Sequence, residues 1–190
     1  MATLAEIEVE ALTCQRCPLA TTRTQVVFGS GDRAADLMFV GEAPGAEEDK
    51  QGLPFVGRSG KLLDRLVWDE LGLTRDEVFV ANVVKCRPPG NRDPHPQEIA
   101  SCRPYLEAQI ELIDPKVIVT LGNFATKLLL ETTDGITKVR GMAYDYRGRT
   151  LVPTFHPSAV LQGGGGAAMA KMRADLVRAK QVMAGLVEAQ

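Results

Sequence analysis

The sequence predicts an α/β fold, a three-layer α/β/α sandwich around a mainly parallel sheet of four strands. Three observations lead there. Four runs, at 37–40, 78–84, 116–122 and 150–155, are apolar and rich in β-branched or aromatic residues, as strands covered on both faces are. Amphipathic segments of helical period separate them. Each run also ends at a polar or glycine-bearing loop: GEAPG, NVVKC, LGN and FHPS. In parallel sheets such loops gather at the carboxyl ends of the strands, where ligands bind. The length of 190 residues suits one core, so residues 1–190 read as a single domain.

In chain order, LAEIEVEAL places apolar residues at 4, 7, 9 and 12 and reads as a short helix ending near the first cysteine pair. The run Leu37–Val40 is a buried strand closed by Gly41. Ser59 can cap a helix carrying Leu62, Leu63, Leu66, Val67 and Leu71 on one face. VFVANVV is the second strand, and the four prolines of RPPGNRDPHP make 87–96 an ordered, exposed loop. A helix follows with Ile99, Cys102, Leu106, Ile110 and Ile113 on a stripe. Pro104 inside it predicts a kink or a later start. KVIVTLG is the third strand, Asn123 can cap the helix after it, and TLVPTF is the fourth strand. QGGGG at 162–166 reads as flexible. A last helix lines up Met169, Met172, Leu176, Ala179, Met183 and Leu186.

Composition excludes more than it identifies. Apolar residues make up 45% of the chain and charged residues 24%, ordinary values for a globular protein. No run approaches the roughly 18 apolar residues of a membrane helix. The acidic start MATLAEIEVEALTC is unlike a secretory signal, so a cytoplasmic location is expected. The net charge of −2 gives no overall support for binding a polyanion. Local basic clusters at 85–103 and 138–149 can still form a positive face.

The four cysteines are spaced C-x2-C at Cys14 and Cys17, then C-x15-C at Cys86 and Cys102. Such a set can be a zinc site, an iron–sulfur site, or buried or redox thiols. The wide second gap is unlike the usual zinc pairing and leaves room for a larger bridging group. Neither a Walker loop nor a G-x-S-x-G elbow is present, so phosphate-loop and serine-hydrolase chemistry find no support. His156 stands at the end of the fourth strand. His95, in DPHP, reads as an exposed loop residue.

Taken together, G41-E-A-P-G-A-E-E-D49, G52-L-P-F-V-G-R-S-G60, N82-V-V-K-C-R-P-P-G-N91 and H156-P-S-A159, with the four cysteines, resemble the family 4 uracil-DNA glycosylases, a thermally robust branch of that superfamily. The resemblance runs from Cys14 to about Lys180. It implies a [4Fe-4S] cluster, structural in role, on Cys14, Cys17, Cys86 and Cys102. It also implies a partner, uracil-containing single- and double-stranded DNA, met by a monomer, and hydrolysis of the N-glycosidic bond that releases free uracil and leaves an abasic site.

The residues are consistent with that chemistry. Phe55 offers a ring for an extruded base. The Asn82 amide complements uracil N3–H and O4, and cytosine reverses that pattern. The backbone of Gly41, Glu42 and Ala43 can close on the remaining edge. His156 can donate to O2 as charge develops on the leaving base. The best-known relatives place an aspartate where this chain has Ala43. Water positioning is therefore expected of Glu42, with Glu48 second. Ser158, Ser59 and Lys61 are candidate phosphate contacts, and Val160 and Leu161 candidate wedges. The glycines at 163–166 replace a more basic stretch. A related branch traps DNA through a histidine in a K-R-R-I-H loop. This chain lacks that loop, so turnover is expected. A four-cysteine nucleic-acid-binding module without bond breaking is the alternative class.

Overall fold

The structure is a computed structural model that describes residues 2–189. In chain order the elements are α1 (Leu4–Leu12), β1 (Ser30–Gly31), β2 (Leu37–Gly41), α2 (Ala46–Gln51), α3 (Arg58–Leu66), β3 (Phe79–Asn82), α4 (Pro96–Ile113), β4 (Val117–Leu121), α5 (Asn123–Leu130), α6 (Ile136–Val139), β5 (Tyr144–Tyr146), β6 (Arg149–Thr154), α7 (Pro157–Ala159) and α8 (Gly165–Met183). One sheet runs in the order β1-β3-β2-β4-β6-β5. Its four central strands, β3, β2, β4 and β6, are mutually parallel and are the four expected. Two antiparallel edge strands, β1 and β5, extend it to six. They are only two and three residues long, too short to show a period.

Alternation along the strands feeds two cores. Met38, Val40, Ile118 and Leu151 face α4 residues Leu106 and Ile110. Leu37, Phe39, Val119 and Val152 face Leu63 and Leu66 of α3 and Met172 and Leu176 of α8. These are the three layers. Burying one aliphatic side chain contributes about 1.5–3 kcal/mol, so the paired faces are the main source of cohesion.

Several boundaries differ from expectation. The second strand stops at Asn82 rather than residue 84, because Val83 and Val84 turn away to donate to the carbonyls of Gly41 and Glu42. Gly57, not Ser59, precedes α3, and Gly122 precedes α5. Gly122 has φ of 88°, and a Cβ there would lie 3.0 Å from His156 Cβ, so a glycine is needed where Asn123 was expected to cap. Asn123 instead accepts a hydrogen bond from Ile136 N–H at 2.8 Å. Helix α4 begins at Pro96 and continues through Pro104. Pro104 and Ala100 are both exposed, so water can satisfy the carbonyl the proline leaves free. His95 is exposed as expected and stands just before α4, where its N–H donates to Glu98 at 2.8 Å. The glycine stretch is helical: Val160–Gly164 form one wide turn leading into α8. Leu186 lies beyond α8 and is exposed, so it does not join the buried stripe.

Candidate active site

Register sets the site. Gly41 of β2 sits beside Asn82 of β3, and Leu121 of β4 beside Thr154 of β6. The loops after all four central strands therefore open into one cleft of about 640 Å³, with Glu42, Ala43, Phe55, Asn82, His156 and Ser158 on its wall.

Asn82 is 1% exposed, and its Oδ1 has no hydrogen-bond partner. A buried acceptor left unpaired costs roughly 1–3 kcal/mol, so it calls for a ligand. Gly41 is absent from the cleft wall but makes room behind it. A Cβ there would lie 2.5 Å from Asn82 Oδ1 and 2.6 Å from the Phe55 ring. Phe55 is buried with φ of 53°, a left-handed conformation costly for a bulky residue. Two neighbours hold it there. Gly60 allows the close approach, since a Cβ would fall 1.7 Å from Phe55 O. Glu48 accepts from Val56 and Gly57 N–H, each at 3.0 Å, and from Gly45 N–H at 3.1 Å. These three bonds engage both oxygens of Glu48 in shaping the loop. Glu42 makes no such bonds, and burial followed by Asp93 pushes its carboxyl up to about 7.

The Phe55 and His156 rings lie 5.6 Å apart at 35°. Burial pushes the His156 pKa down to about 4, against a smaller opposing effect of Glu48. The ring is neutral at pH 7. Ser158 N–H reaches Nδ1 at 3.2 Å and Ser158 Oγ lies 2.7 Å from it. An Nδ1 that accepts leaves the proton on Nε2. Ser158 thus serves the histidine, where the sequence suggested a phosphate.

Ser59 lines the cleft and Lys61 is exposed outside it. Arg92, from the basic cluster at 85–103, also lines it, as does Arg58, which the sequence reading missed. Arg92 is gripped by Glu98 at 2.7 and 2.9 Å, an arrangement with no local sequence signal. Leu161 is 49% exposed, as a wedge must be. Val160 is 6% exposed and packed in the core with Phe55 and Leu63, so the wedge expectation for Val160 is corrected.

A second cavity is lined by Cys14, Cys17, Cys86 and Cys102. Cys14 follows α1, Cys17 precedes the 3-10 turn Pro18–Thr21, and Cys86 follows β3. Cys102 lies inside α4, on the stripe the sequence predicts. Arg23 Nη1 donates to Cys86 Sγ at 3.4 Å and Lys85 N–H to Cys102 Sγ at 3.2 Å. Arg23 has no signal in the sequence. Arg16 lies over the Tyr105 ring and pairs with Glu10, whereas Arg103 pairs with Glu107 and Glu131 and does not line the cavity. Burial pushes the Cys86 thiol up to about 11. Among the described residues, no three His, Cys, Asp or Glu side chains are grouped to hold a single metal ion.

Residues 28–178 match the family model for the uracil DNA glycosylase superfamily. A type-4 uracil-DNA glycosylase of Sulfurisphaera tokodaii is 50% identical over 85% of this chain and 77% of its own length. Another, from Thermotoga maritima, is 51% identical over 78% of each chain. Pyrobaculum aerophilum has proteins of two types to compare. Its type-4 enzyme is 43% identical over 78% of this chain, and its type-5 enzyme 30% over 67%. The chain belongs to the uracil DNA glycosylase superfamily and, within it, to the type-4 group.

Proposed function

We propose that this protein is a uracil-DNA glycosylase: it hydrolyses the bond between uracil and deoxyribose in DNA, releasing the base and leaving an abasic site. The observation that carries the reading is the buried, unpartnered Oδ1 of Asn82 beside the Phe55 ring. Uracil N3–H supplies the missing donor, and the same amide can donate to O4. Cytosine would set acceptor against acceptor there, and a buried mismatch of this kind discriminates strongly. Phe55 stacks on the extruded base. As the glycosidic bond breaks, negative charge gathers on uracil O2, and the Nε2–H of neutral His156 donates to it. The sugar develops cationic character. Glu42, ionised, stabilises that charge and orients the attacking water. It is preferred to Glu48, whose oxygens hold backbone N–H groups.

For DNA, Arg58, Ser59, Lys61 and Arg92 supply phosphate contacts, and Leu161 fills the space the base leaves. The cysteine cavity suits a thiolate-bound iron–sulfur group. Four sulfurs from three segments line it, and two of them accept N–H donors. A [4Fe-4S] cluster bound to Cys14, Cys17, Cys86 and Cys102 supplies a structural cross-link between those segments. No helix among the described residues is long and apolar enough to cross a membrane. The reading takes residues 1–190 as one domain, acting as a monomer in the cytoplasm. Incubating the purified protein with a uracil-bearing oligonucleotide tests it: free uracil and an intact backbone with an abasic site are expected. Tight binding without uracil release would leave a binding module instead.

A further inference from the structure

Lys85 is 1% exposed, a costly place for an ammonium group. It stands between the two cavities. Its Nζ donates to the main-chain carbonyl of Asn82 at 2.7 Å and to Gln109 Oε1 at 2.6 Å. Gln109, fully buried on α4, donates onward to Phe28 O at 2.8 Å. The Lys85 backbone faces the other way. Its N–H donates to Cys102 Sγ at 3.2 Å, and the residue lines the cysteine cavity next to Cys86. One residue therefore touches both the amino acid that reads the base and the site that holds the thiols.

We propose that Lys85 is a positioning residue that ties the four-cysteine site to Asn82, so that uracil in the cleft and the group held by the cysteines sense each other. This rests on the reading of the cleft as a uracil pocket and of the cysteines as cluster ligands. The geometry gives the route. The Asn82 side chain is aimed from the last residue of β3, and the carbonyl of that residue is fixed by the Lys85 ammonium. The orientation of the ammonium depends in turn on the Lys85–Cys86 backbone and on Gln109. Coupling between two sites is reciprocal, so it can be read from either end.

The test compares the parent with Lys85→Met, which keeps the length and removes the donor. Free uracil is the probe, measured by equilibrium dialysis, with visible circular dichroism of the cysteine-site chromophore as the second readout. In the parent, saturating uracil is expected to alter the visible spectrum. In Lys85→Met, iron content and DNA affinity are expected to hold while uracil affinity falls about tenfold, the equivalent of 1.4 kcal/mol. The uracil-induced spectral change should vanish. A purely structural role would instead lower the melting temperature and leave uracil affinity alone. Unchanged affinity in Lys85→Met, or a surviving spectral response, overturns the proposal. If that variant does not fold, Gln109→Met keeps the bond to Asn82 and frees the ammonium at its other end. Two- to threefold weaker uracil binding (about 0.4–0.7 kcal/mol) then supports the tie, and unaltered binding overturns it. A parent that excises no uracil sinks the functional reading. One that excises uracil with no spectral response to it sinks only the coupling.

Discussion

His156 can donate to the leaving base only while its proton sits on Nε2. With the pKa pushed down to about 4, the ring stays neutral across the working range and contributes no limb to the pH profile above about 5. Glu42 behaves oppositely. Its carboxyl is pushed up to about 7 and is needed ionised, so the single-turnover rate should rise as pH climbs through about 7 and then level off. Glu42→Gln should lower the rate and flatten that limb. A limb that persists would assign it to another group. His156→Ala should cost on the order of 3 kcal/mol, a hundredfold or more in the single-turnover rate, with DNA affinity kept. Loss of DNA binding at an unchanged rate would move His156 from chemistry to docking. Asn82, Phe55 and His156 were legible because each brings distinctive chemistry to a strand end or loop. The sequence ranked Glu42 before Glu48 but could not give the reason, since it counts carboxylates and cannot show which one backbone N–H groups have already engaged.

At the scale of elements, the turn after α7 separates two neighbouring apolar residues. Val160 faces the core and Leu161 faces outward. Val160→Ala should therefore destabilise the fold by about 1.6 kcal/mol, at 0.8 kcal/mol for each buried methylene-sized group, and leave excision from single strands intact. Leu161→Ala should leave thermal stability unchanged and slow excision from duplex DNA more than from single strands, where nothing has to be wedged apart. Melting curves and paired substrates separate the two. Two adjacent residues in a single turn carry no period that tells in from out, which is why the sequence treated them alike. Helix starts failed for a related reason. Ser59 and Asn123 are good caps by type, but α3 and α5 begin one or two residues earlier, after Gly57, whose N–H is held by Glu48, and after Gly122, which permits close approach to His156. The central strands were legible because burial on both faces leaves an unbroken apolar run.

For the whole molecule, the cysteine cavity joins the segment after α1, the loop after β3 and the middle of α4. Cys17→Ala should therefore remove colour and lower the melting temperature together, because binding a metal group and folding are linked. A colourless variant that melts and cleaves like the parent would reject Cys17 as a ligand. The same arrangement imposes an order in time. Cys102 leaves the ribosome 85 residues after Cys17. At a synthesis rate of about 5–20 residues per second, the first pair waits roughly 4–17 seconds for its last companion. During that interval Cys14 and Cys17 are close neighbours without their partners, open to oxidation to each other. Yield of the coloured protein should therefore follow the reducing power and iron–sulfur supply of the cell that makes it, more than the stability of the finished fold.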